Sequence, residues 1–195
     1  LSAPEVAVEV HLANGLPSFT LVGLPETEVK EARDRVRAAL QNSGFDFPSK
    51  RITVNLAPAD LPKESGRFDL AIALGILIAS GRLKAPTLDS HEFAGELSLS
   101  GELRPVRGTL AMCLSAAGAG RAFVLPQASA DEASLVARAT ILPARSLLAK
   151  VRLLGLEPAL PGMRSTTKVV PASEPSLRHS SRPWFQSSAA KKRVL

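Results

Sequence analysis

The sequence predicts an α/β (α+β) domain built on a mixed β-sheet, and three observations in its 195 residues lead to this fold class. Apolar and polar residues alternate over residues 6–12, as in a strand with one solvated face. Residues 68–79 are apolar on nearly every side, which is typical of a helix buried inside a domain. The first strands are separated by a short turn, whereas the later strands alternate with helices, and this order favours a mixed sheet.

Local signals place the individual elements along the chain. Asn14–Pro17 forms a turn signal, so we expect the first two strands to pair as a hairpin. A second hairpin is expected around Ser100 and Gly101, and Gly44 and Gly81 end the helices that precede them. Strands are predicted at residues 6–12, 18–22, 51–56, 93–99, 102–106, 122–125 and 140–142, and helices at 26–43, 68–79, 110–117, 130–137 and 146–154.

The composition excludes several classes of protein. Hydrophobic residues make up 45% of the chain, enough to build a core, so a wholly disordered chain is excluded. The single cysteine, Cys113, excludes a disulfide framework and a multi-cysteine metal site, and it suits a reducing cytoplasm. The longest apolar run, residues 70–79, is about half of the roughly 20 residues that cross a bilayer. We therefore expect a cytoplasmic chain without a membrane span or a secretory signal.

The net charge of +6 lies entirely in the C-terminal segment. Residues 161–195 hold seven basic residues and one acid, whereas residues 1–160 hold 17 of each. This segment is rich in Pro and Ser and has no apolar periodicity, so we predict a domain over residues 1–160 and a disordered basic tail over 161–195. The run Lys191–Arg193 either contacts phosphates or is simply solvated.

Sequence motifs for several kinds of chemistry are missing from the chain. Neither the phosphate-binding pattern Gly-x-x-x-x-Gly-Lys-Ser/Thr nor the dinucleotide pattern Gly-x-Gly-x-x-Gly occurs. The three histidines lie far apart and have no neighbours at ligand spacing, which disfavours a metal site. No Gly-x-Ser-x-Gly elbow supports a serine hydrolase.

The loop over residues 58–70 is the most unusual stretch, because it places Lys63, Glu64, Arg67 and Asp69 between a strand and a buried helix. Lys63 and Arg67 beside the first amides of that helix would attract an anion or a nucleic acid. The same residues would equally form a capped, salt-bridged helix start in which the acids neutralise the two cations. Both interpretations remain open on residue chemistry alone.

Three stretches carry a resemblance to a known family: VEVHLANGLPSFTLVGLPETEVKEARDRVRAAL, RITVNLAPADLPKESGRFDLAIALGIL and FAGELSLSGELRPVRG. Over residues 3–154 the chain resembles the N-terminal domain of the YifB/ComM family of magnesium chelatase-like proteins. The resemblance implies a Lon-protease-like domain of the ribosomal-protein second-domain-like superfamily. In the family this domain precedes an AAA+ ATPase module that uses ATP and Mg, and ComM-type members are hexameric branch-migration helicases of natural transformation.

The resemblance also implies that the peptidase chemistry of Lon is missing. Pro62–Gly66 is similar to the stretch that precedes the Lon nucleophile, and this places Arg67 at the nucleophile position. Pro105–Thr109 is similar to the stretch that precedes the general-base lysine, and this places Leu110 at the base position. Leu110 cannot accept a proton, and neither Walker motif is present. We therefore expect no enzyme activity and no cofactor in this chain.

Taken together, the residues and the resemblance predict a non-catalytic domain that organises a hexamer and engages DNA. Lys63 and Arg67 are the first candidates for a nucleic-acid or interdomain contact, and Lys50, Arg51 and Arg107 are weaker ones. The alternative is an oligomerisation module that never contacts nucleic acid. For the tail, a native disordered segment and a frameshifted one that is foreign to the family both remain open.

Overall fold

The computed structural model describes residues 3–153 and 190–194. The strands are β1 (Val6–Ala13), β2 (Ser18–Val22), β3 (Arg51–Ala57), β4 (His91–Phe93), β5 (Glu96–Leu97), β6 (Leu103–Arg104), β7 (Ala122–Pro126), β8 (Ile141–Ala144) and β9 (Ala190–Val194). The helices are α1 (Thr27–Lys30), α2 (Ala32–Asn42), α3 (Asp69–Ala79), α4 (Thr109–Gly118), α5 (Ala130–Ser134) and α6 (Leu147–Leu153). The expected α/β class with a mixed sheet is confirmed.

The first sheet has the order β2-β3-β1-β9, so the predicted hairpin between the first two strands is wrong. β3 lies between them, antiparallel to β1 and parallel to β2, with Val54 opposite both Val10 and Leu21. Ile52, Val54 and Leu56 of β3 are fully buried, and a strand this apolar is stabilised by pairing on both edges. The helices α1 and α2 supply the crossover that two adjacent parallel strands require.

The predicted helix over residues 26–43 is present as two helices separated by Glu31. The Glu28 carbonyl, which a continuous helix would give to the amide of Ala32, accepts a hydrogen bond from the Arg35 guanidinium at 3.0 Å. A side chain that hydrogen-bonds to a backbone carbonyl in place of the helical amide is a known cause of such breaks. The predicted inward positions Val29, Val36 and Leu40 are all buried.

A second sheet has the order β4-β7-β8, with all strands parallel. The expected second hairpin is confirmed only in its central part, where β5 pairs with β6 and Glu96 lies opposite Arg104. Phe93, predicted as part of that hairpin, instead belongs to β4 and lies opposite Val124 of β7. Its side chain is buried in the core, and the parallel pairing places it there.

The main core lies between the first sheet and α2, α3 and α6. Residues 69–77 of α3 are all buried, as the apolar run predicted. A smaller core of eight buried residues fills the space between α4, α5 and β7, and Cys113 lies in it. No helix among the described residues is long and apolar enough to cross a bilayer.

β9 falls inside the segment that was predicted to be a disordered tail. Its five residues pair antiparallel with β1, with Val194 opposite Val6 and Ala190 opposite Val10. Without β9 the edge of β1 would leave a row of amides and carbonyls unpaired, and such an edge accepts an extended segment with little regard to its sequence. Over residues 190–194 the structure thus differs from the prediction, while the rest of the tail lies outside the described residues.

Candidate functional site around residues 58–70

The loop between β3 and α3 is held by backbone contacts on two sides. On one side, Pro25 and Lys63 form a β-bridge, and the Glu26 amide donates to the Lys63 carbonyl at 3.1 Å. On the other side, the Gly95 amide donates to the Arg67 carbonyl at 2.9 Å. The candidate residues therefore lie on a loop with a fixed backbone rather than on a free surface turn.

Lys63 is fully buried, and its ammonium donates a hydrogen bond to the Pro58 carbonyl within the same loop. Burial lowers the pKa of the Lys63 ammonium, because removing the charge from water disfavours the protonated form. In this conformation the ammonium is not presented to a phosphate in solvent. The predicted nucleic-acid contact at Lys63 remains a prediction, and the burial counts against it.

Ser65 and Arg67 form the next feature of the loop. The Ser65 backbone has φ +65° and ψ 167°, a conformation that is essentially reserved for glycine and costs about 1–3 kcal/mol in other residues. Its hydroxyl accepts a hydrogen bond from Arg67 Nε at 2.9 Å. Arg67 is half-buried, and burial lowers the pKa of its guanidinium. The strained serine thus fixes the orientation of a partly desolvated cation.

A salt-bridged helix start is also present, although its cation comes from α2. Asp69 is fully buried, and its carboxylate accepts hydrogen bonds from Arg35 at 2.7 and 3.1 Å and from the Leu97 amide at 3.1 Å. Burial raises the pKa of the Asp69 carboxyl more than these partners lower it. The hydrogen bond to Asp69 raises the pKa of Arg35 in turn. Asp69 therefore leaves Lys63 and Arg67 without the carboxylate that this interpretation had assigned to them.

Two cavities adjoin this loop. A cleft of about 300 Å³ is lined by Glu28, Ser65, Gly66, Glu96 and Pro105–Arg107. It brings together the two stretches that are similar to the Lon nucleophile and base motifs. Gly66 leaves room there for Glu96, because a Cβ at this position would lie 2.6 Å from Cγ of Glu96 and would displace that side chain. A second cavity of about 230 Å³ lies on the other side and includes Arg67 in its wall.

Leu110 lies in the first turn of α4, two residues after Gly108, which ends the exposed Arg107–Gly108 segment. Its amide donates to Glu132 Oε1 at 2.9 Å, so a carboxylate from α5 satisfies this helix terminus. Neither Leu110 nor Arg67 can act as a nucleophile or as a base at neutral pH. The two matched positions therefore hold neither member of a Ser–Lys dyad.

Lys50 and Arg51 are exposed and lie at the start of β3, of which Arg51 is the first residue, whereas Lys63 and Arg67 follow the strand. β3 extends about 20 Å from Arg51 to Ala57, and the loop that holds Lys63 and Arg67 begins after its far end. Arg107 lines the cleft together with Ser65 and so lies near Arg67. The structure places the five predicted basic residues in two groups and not in a single patch.

Sequence reasoning missed three residues that shape this site. Arg35 holds Asp69, Glu96 lies over Gly66, and Glu132 accepts from the Leu110 amide. The sequence indicates Arg35 only weakly, through its position next to the buried Val36 at the edge of the apolar face of α2. It does not indicate the two glutamates, because only the tertiary fold brings them to the loop. Within residues 3–153 and 190–194, no group of His, Cys, Asp or Glu side chains could hold a metal ion.

Comparison with known proteins identifies the family. Residues 8–129 match the family model described as subunit ChlI of Mg-chelatase. The competence protein ComM of Haemophilus influenzae is 54% identical over 161 residues, which cover 83% of this chain and 32% of that protein. The uncharacterized protein YifB of Salmonella typhimurium is 53% identical over 138 residues, which cover 71% of this chain and 27% of that protein.

A more distant relative extends the comparison. The uncharacterized protein Rv2897c of Mycobacterium tuberculosis is 39% identical over 173 residues, or 88% of this chain. This match is longer than the predicted domain of 160 residues, so it reaches into the predicted tail. The chain spans about a third of the length of these relatives. Its sequence nevertheless matches them across most of its own length, and the chain therefore belongs to the YifB/ComM family of magnesium chelatase-like proteins.

Proposed function

We propose that this chain is the non-catalytic N-terminal domain of a ComM/YifB-type AAA+ ATPase, and that it supports hexamer organisation and DNA engagement during branch migration in natural transformation. The observation that carries the proposal is the 54% identity to a competence protein over 83% of this chain. The intact protein would work in the cytoplasm, and its ATP and Mg would bind in a separate AAA+ module.

The proposed fold assignment is a Lon-protease-like domain that has lost its peptidase chemistry. The cleft that joins Ser65 and Gly66 to Pro105–Arg107 supports it, since motifs far apart in the sequence meet at one place. Arg67 and Leu110 stand at the nucleophile and base positions, so the domain does not hydrolyse peptides, and without a Walker motif in these 195 residues it does not hydrolyse ATP. Its role is then to hold other parts of the protein or a ligand in place.

DNA engagement is assigned to the exposed cations. Lys50, Arg51 and Arg107 are solvent-exposed, and phosphate contacts from such residues supply most of the sequence-independent affinity for DNA. Lys63 is buried, and Arg67 shares its cavity with Glu64, so both are poorer contacts for a polyanion. The second candidate function is an oligomerisation module without nucleic-acid contact, which the neutral net charge of residues 1–160 favours.

Fluorescence anisotropy of labelled single- and double-stranded DNA, titrated with the 195-residue chain over a NaCl series, tests the proposal. The logarithm of the affinity should fall linearly with the logarithm of the salt concentration. In the Lys50→Ala/Arg51→Ala double variant the slope should shrink by about two. Lys84→Ala, which removes an exposed lysine elsewhere, is the matched control and should leave the slope unchanged.

Two outcomes favour the oligomerisation module. One is the absence of binding at 20 mM NaCl, and the other is a slope that the double variant does not change. Sedimentation velocity over a range of protein concentrations then tests the module directly. The oligomerisation module requires that the chain self-associates without DNA.

A further inference from the structure

Arg67 is a half-buried cation that makes no direct ion pair with a carboxylate among the described residues, and the charge of Glu64 acts on it only from a distance. Its one hydrogen bond there joins Nε to the Ser65 hydroxyl at 2.9 Å. Neither Glu64 nor any other acid in residues 3–153 lies within 4.0 Å of the guanidinium. Burying part of a charge without a partner is costly, and an incoming anion would compensate that cost.

The guanidinium is also held in a fixed orientation. Ser65, with its glycine-like backbone angles, directs its hydroxyl to Nε, so the terminal nitrogens Nη1 and Nη2 keep their hydrogen-bonding capacity. The Gly95 amide fixes the Arg67 backbone from the other side. Residues in rare backbone conformations cluster at ligand-binding positions, where the fold maintains them.

Arg67 lies in the wall of the cavity of about 230 Å³. Most of the remaining wall is apolar, and Glu64 is its only acid. The apolar residues of the wall are Ala3, Pro4, Val6, Leu61, Pro62 and Phe68. A guanidinium held in one orientation, beside one carboxylate in an otherwise apolar wall, suits a small amphipathic anion with a single charge.

We propose that this cavity binds a carboxylate carried on a short apolar body, with Arg67 as the charge partner. Two N–H groups at one end of a guanidinium match the two oxygens of a carboxylate. A phosphate dianion fits less well, because Glu64 repels a second negative charge and the apolar wall offers few further donors. The inference does not depend on the DNA proposal, since it concerns a different ligand and a different residue.

The shared chemistry has two sources, the C-terminal end of a peptide and a free aliphatic acid. N-acetyl-leucine represents the first and 4-methylpentanoate the second, and N-acetyl-leucinamide is the uncharged twin of the peptide probe. Titrations of the ¹⁵N-labelled 195-residue chain, followed by NMR, should show saturable shifts at residues 61–68 with N-acetyl-leucine, at a dissociation constant of about 1 mM or below. The amide should bind at least tenfold more weakly. Equal binding of 4-methylpentanoate would identify a free acid as sufficient.

Four variants assign the contact. Arg67→Gln should weaken N-acetyl-leucine binding at least tenfold. Arg67→Lys keeps the positive charge but loses the paired N–H donors of the guanidinium, so it should weaken binding several-fold. Glu64→Gln should tighten it about two- to threefold, because it removes a like charge from the cavity. Arg138→Gln, which removes an exposed arginine outside both cavities, is the control and should leave the binding of N-acetyl-leucine unchanged.

The proposal is overturned if the amide binds as tightly as the acid, if inorganic phosphate competes at equal concentration, or if neither acid shifts residues 61–68 at 20 mM. It is also overturned if the folded Arg67→Lys and Arg67→Gln variants bind N-acetyl-leucine as the parent chain does. The comparison of acid with amide needs no variant, so it remains decisive even where Arg67→Gln does not fold.

Discussion

Arg35 on α2 holds the buried carboxylate of Asp69 at the start of α3 with two hydrogen bonds of 2.7 and 3.1 Å. The Asp69 side chain is completely shielded from solvent, and that of Arg35 is 18% exposed. The same guanidinium also accounts for the break between α1 and α2, because it takes the Glu28 carbonyl. Arg35 of α2 therefore contacts both α1 and α3, at the point where the loop over residues 58–70 enters α3.

Replacing Arg35 should destabilise the domain strongly. Arg35→Met leaves the Asp69 carboxylate buried without its charge partner, and removing one member of a buried pair costs about 3–5 kcal/mol. Urea denaturation followed by circular dichroism measures the change. Arg82→Met is the control, because Arg82 pairs with an exposed Asp46 and its loss should cost less than about 1 kcal/mol. Equal losses in the two variants would mean that Asp69 does not depend on Arg35.

A methyl group at Gly23 should also be destabilising. Gly23 has φ +97°, and an added Cβ would lie 2.0 Å from the Leu56 carbonyl oxygen, where neither backbone can yield cheaply. Gly23→Ala should therefore cost more than about 3 kcal/mol or prevent folding. Gly44→Ala shares the positive φ, at +81°, but meets nothing within 4 Å, so it should cost only about 1–2 kcal/mol. A loss at Gly23 no larger than at Gly44 would contradict the close approach to β3.

Lys63 and Cys113 should respond to alkaline pH in opposite directions. Burial lowers the pKa of Lys63 below 10.5, so near this pH the unfolded chain binds more protons and stability rises with pH. Burial raises the pKa of Cys113 above 9.0, so the unfolded thiol loses its proton first and stability falls with pH.

The measurement is the free energy of unfolding at pH 8, 9 and 10 for the parent chain, Lys63→Met and Cys113→Ala. From pH 8 to 10 the parent should gain stability relative to Lys63→Met and lose stability relative to Cys113→Ala. Because each variant removes one titrating group, the two difference curves separate effects that partly cancel in the parent. Slopes of the same sign would show that one of the two groups is not buried as described.

Ser65→Gly should stabilise the fold and weaken ligand binding at once. Glycine relieves the strain at φ +65°, and part of this gain is offset by its greater entropy when unfolded, so we expect a net gain of about 1 kcal/mol. The Arg67 guanidinium then loses its acceptor, and N-acetyl-leucine should bind several-fold more weakly. Ser65→Ala keeps the strain and removes the hydroxyl, so it should weaken binding without any gain in stability. If Ser65→Gly is less stable than the parent, the backbone angles at Ser65 are not a source of strain.

The sequence predicted the elements of this fold better than their partners. Alternation over residues 6–12 and the apolar run over 68–79 reflect periodicity within one segment, and both elements are present. The hairpin between β1 and β2 was wrong because Asn14–Pro17 signals only a change of direction. Whether a third strand inserts between the two depends on residues 51–57, which lie about 30 positions further along.

The loop between a strand and a buried helix is present as predicted, whereas its pairing of charges differs from the expected one. Lys63 and Arg67 were the first candidates for a nucleic-acid or interdomain contact and stay predictions, but a lysine carries a long apolar stem, and here the whole Lys63 side chain is buried. Asp69 was available to pair with either cation until the fold brought Arg35 to it. The sequence shows which charged residues a loop contains. Which of them form ion pairs depends on the helix that packs against the loop, as Arg35 of α2 does here for Asp69.

The insertion of β3 between β1 and β2 has a consequence for synthesis. While the chain emerges from the ribosome, β1 and β2 are made before β3, and neither has its shared partner until residue 57 is available. During that interval Val6, Val8 and Val10 have no sheet in which to bury their side chains, and such strands are prone to associate with other chains. A nascent chain that ends before Arg51 contains β1 and β2 but lacks β3, the strand that hydrogen-bonds to both.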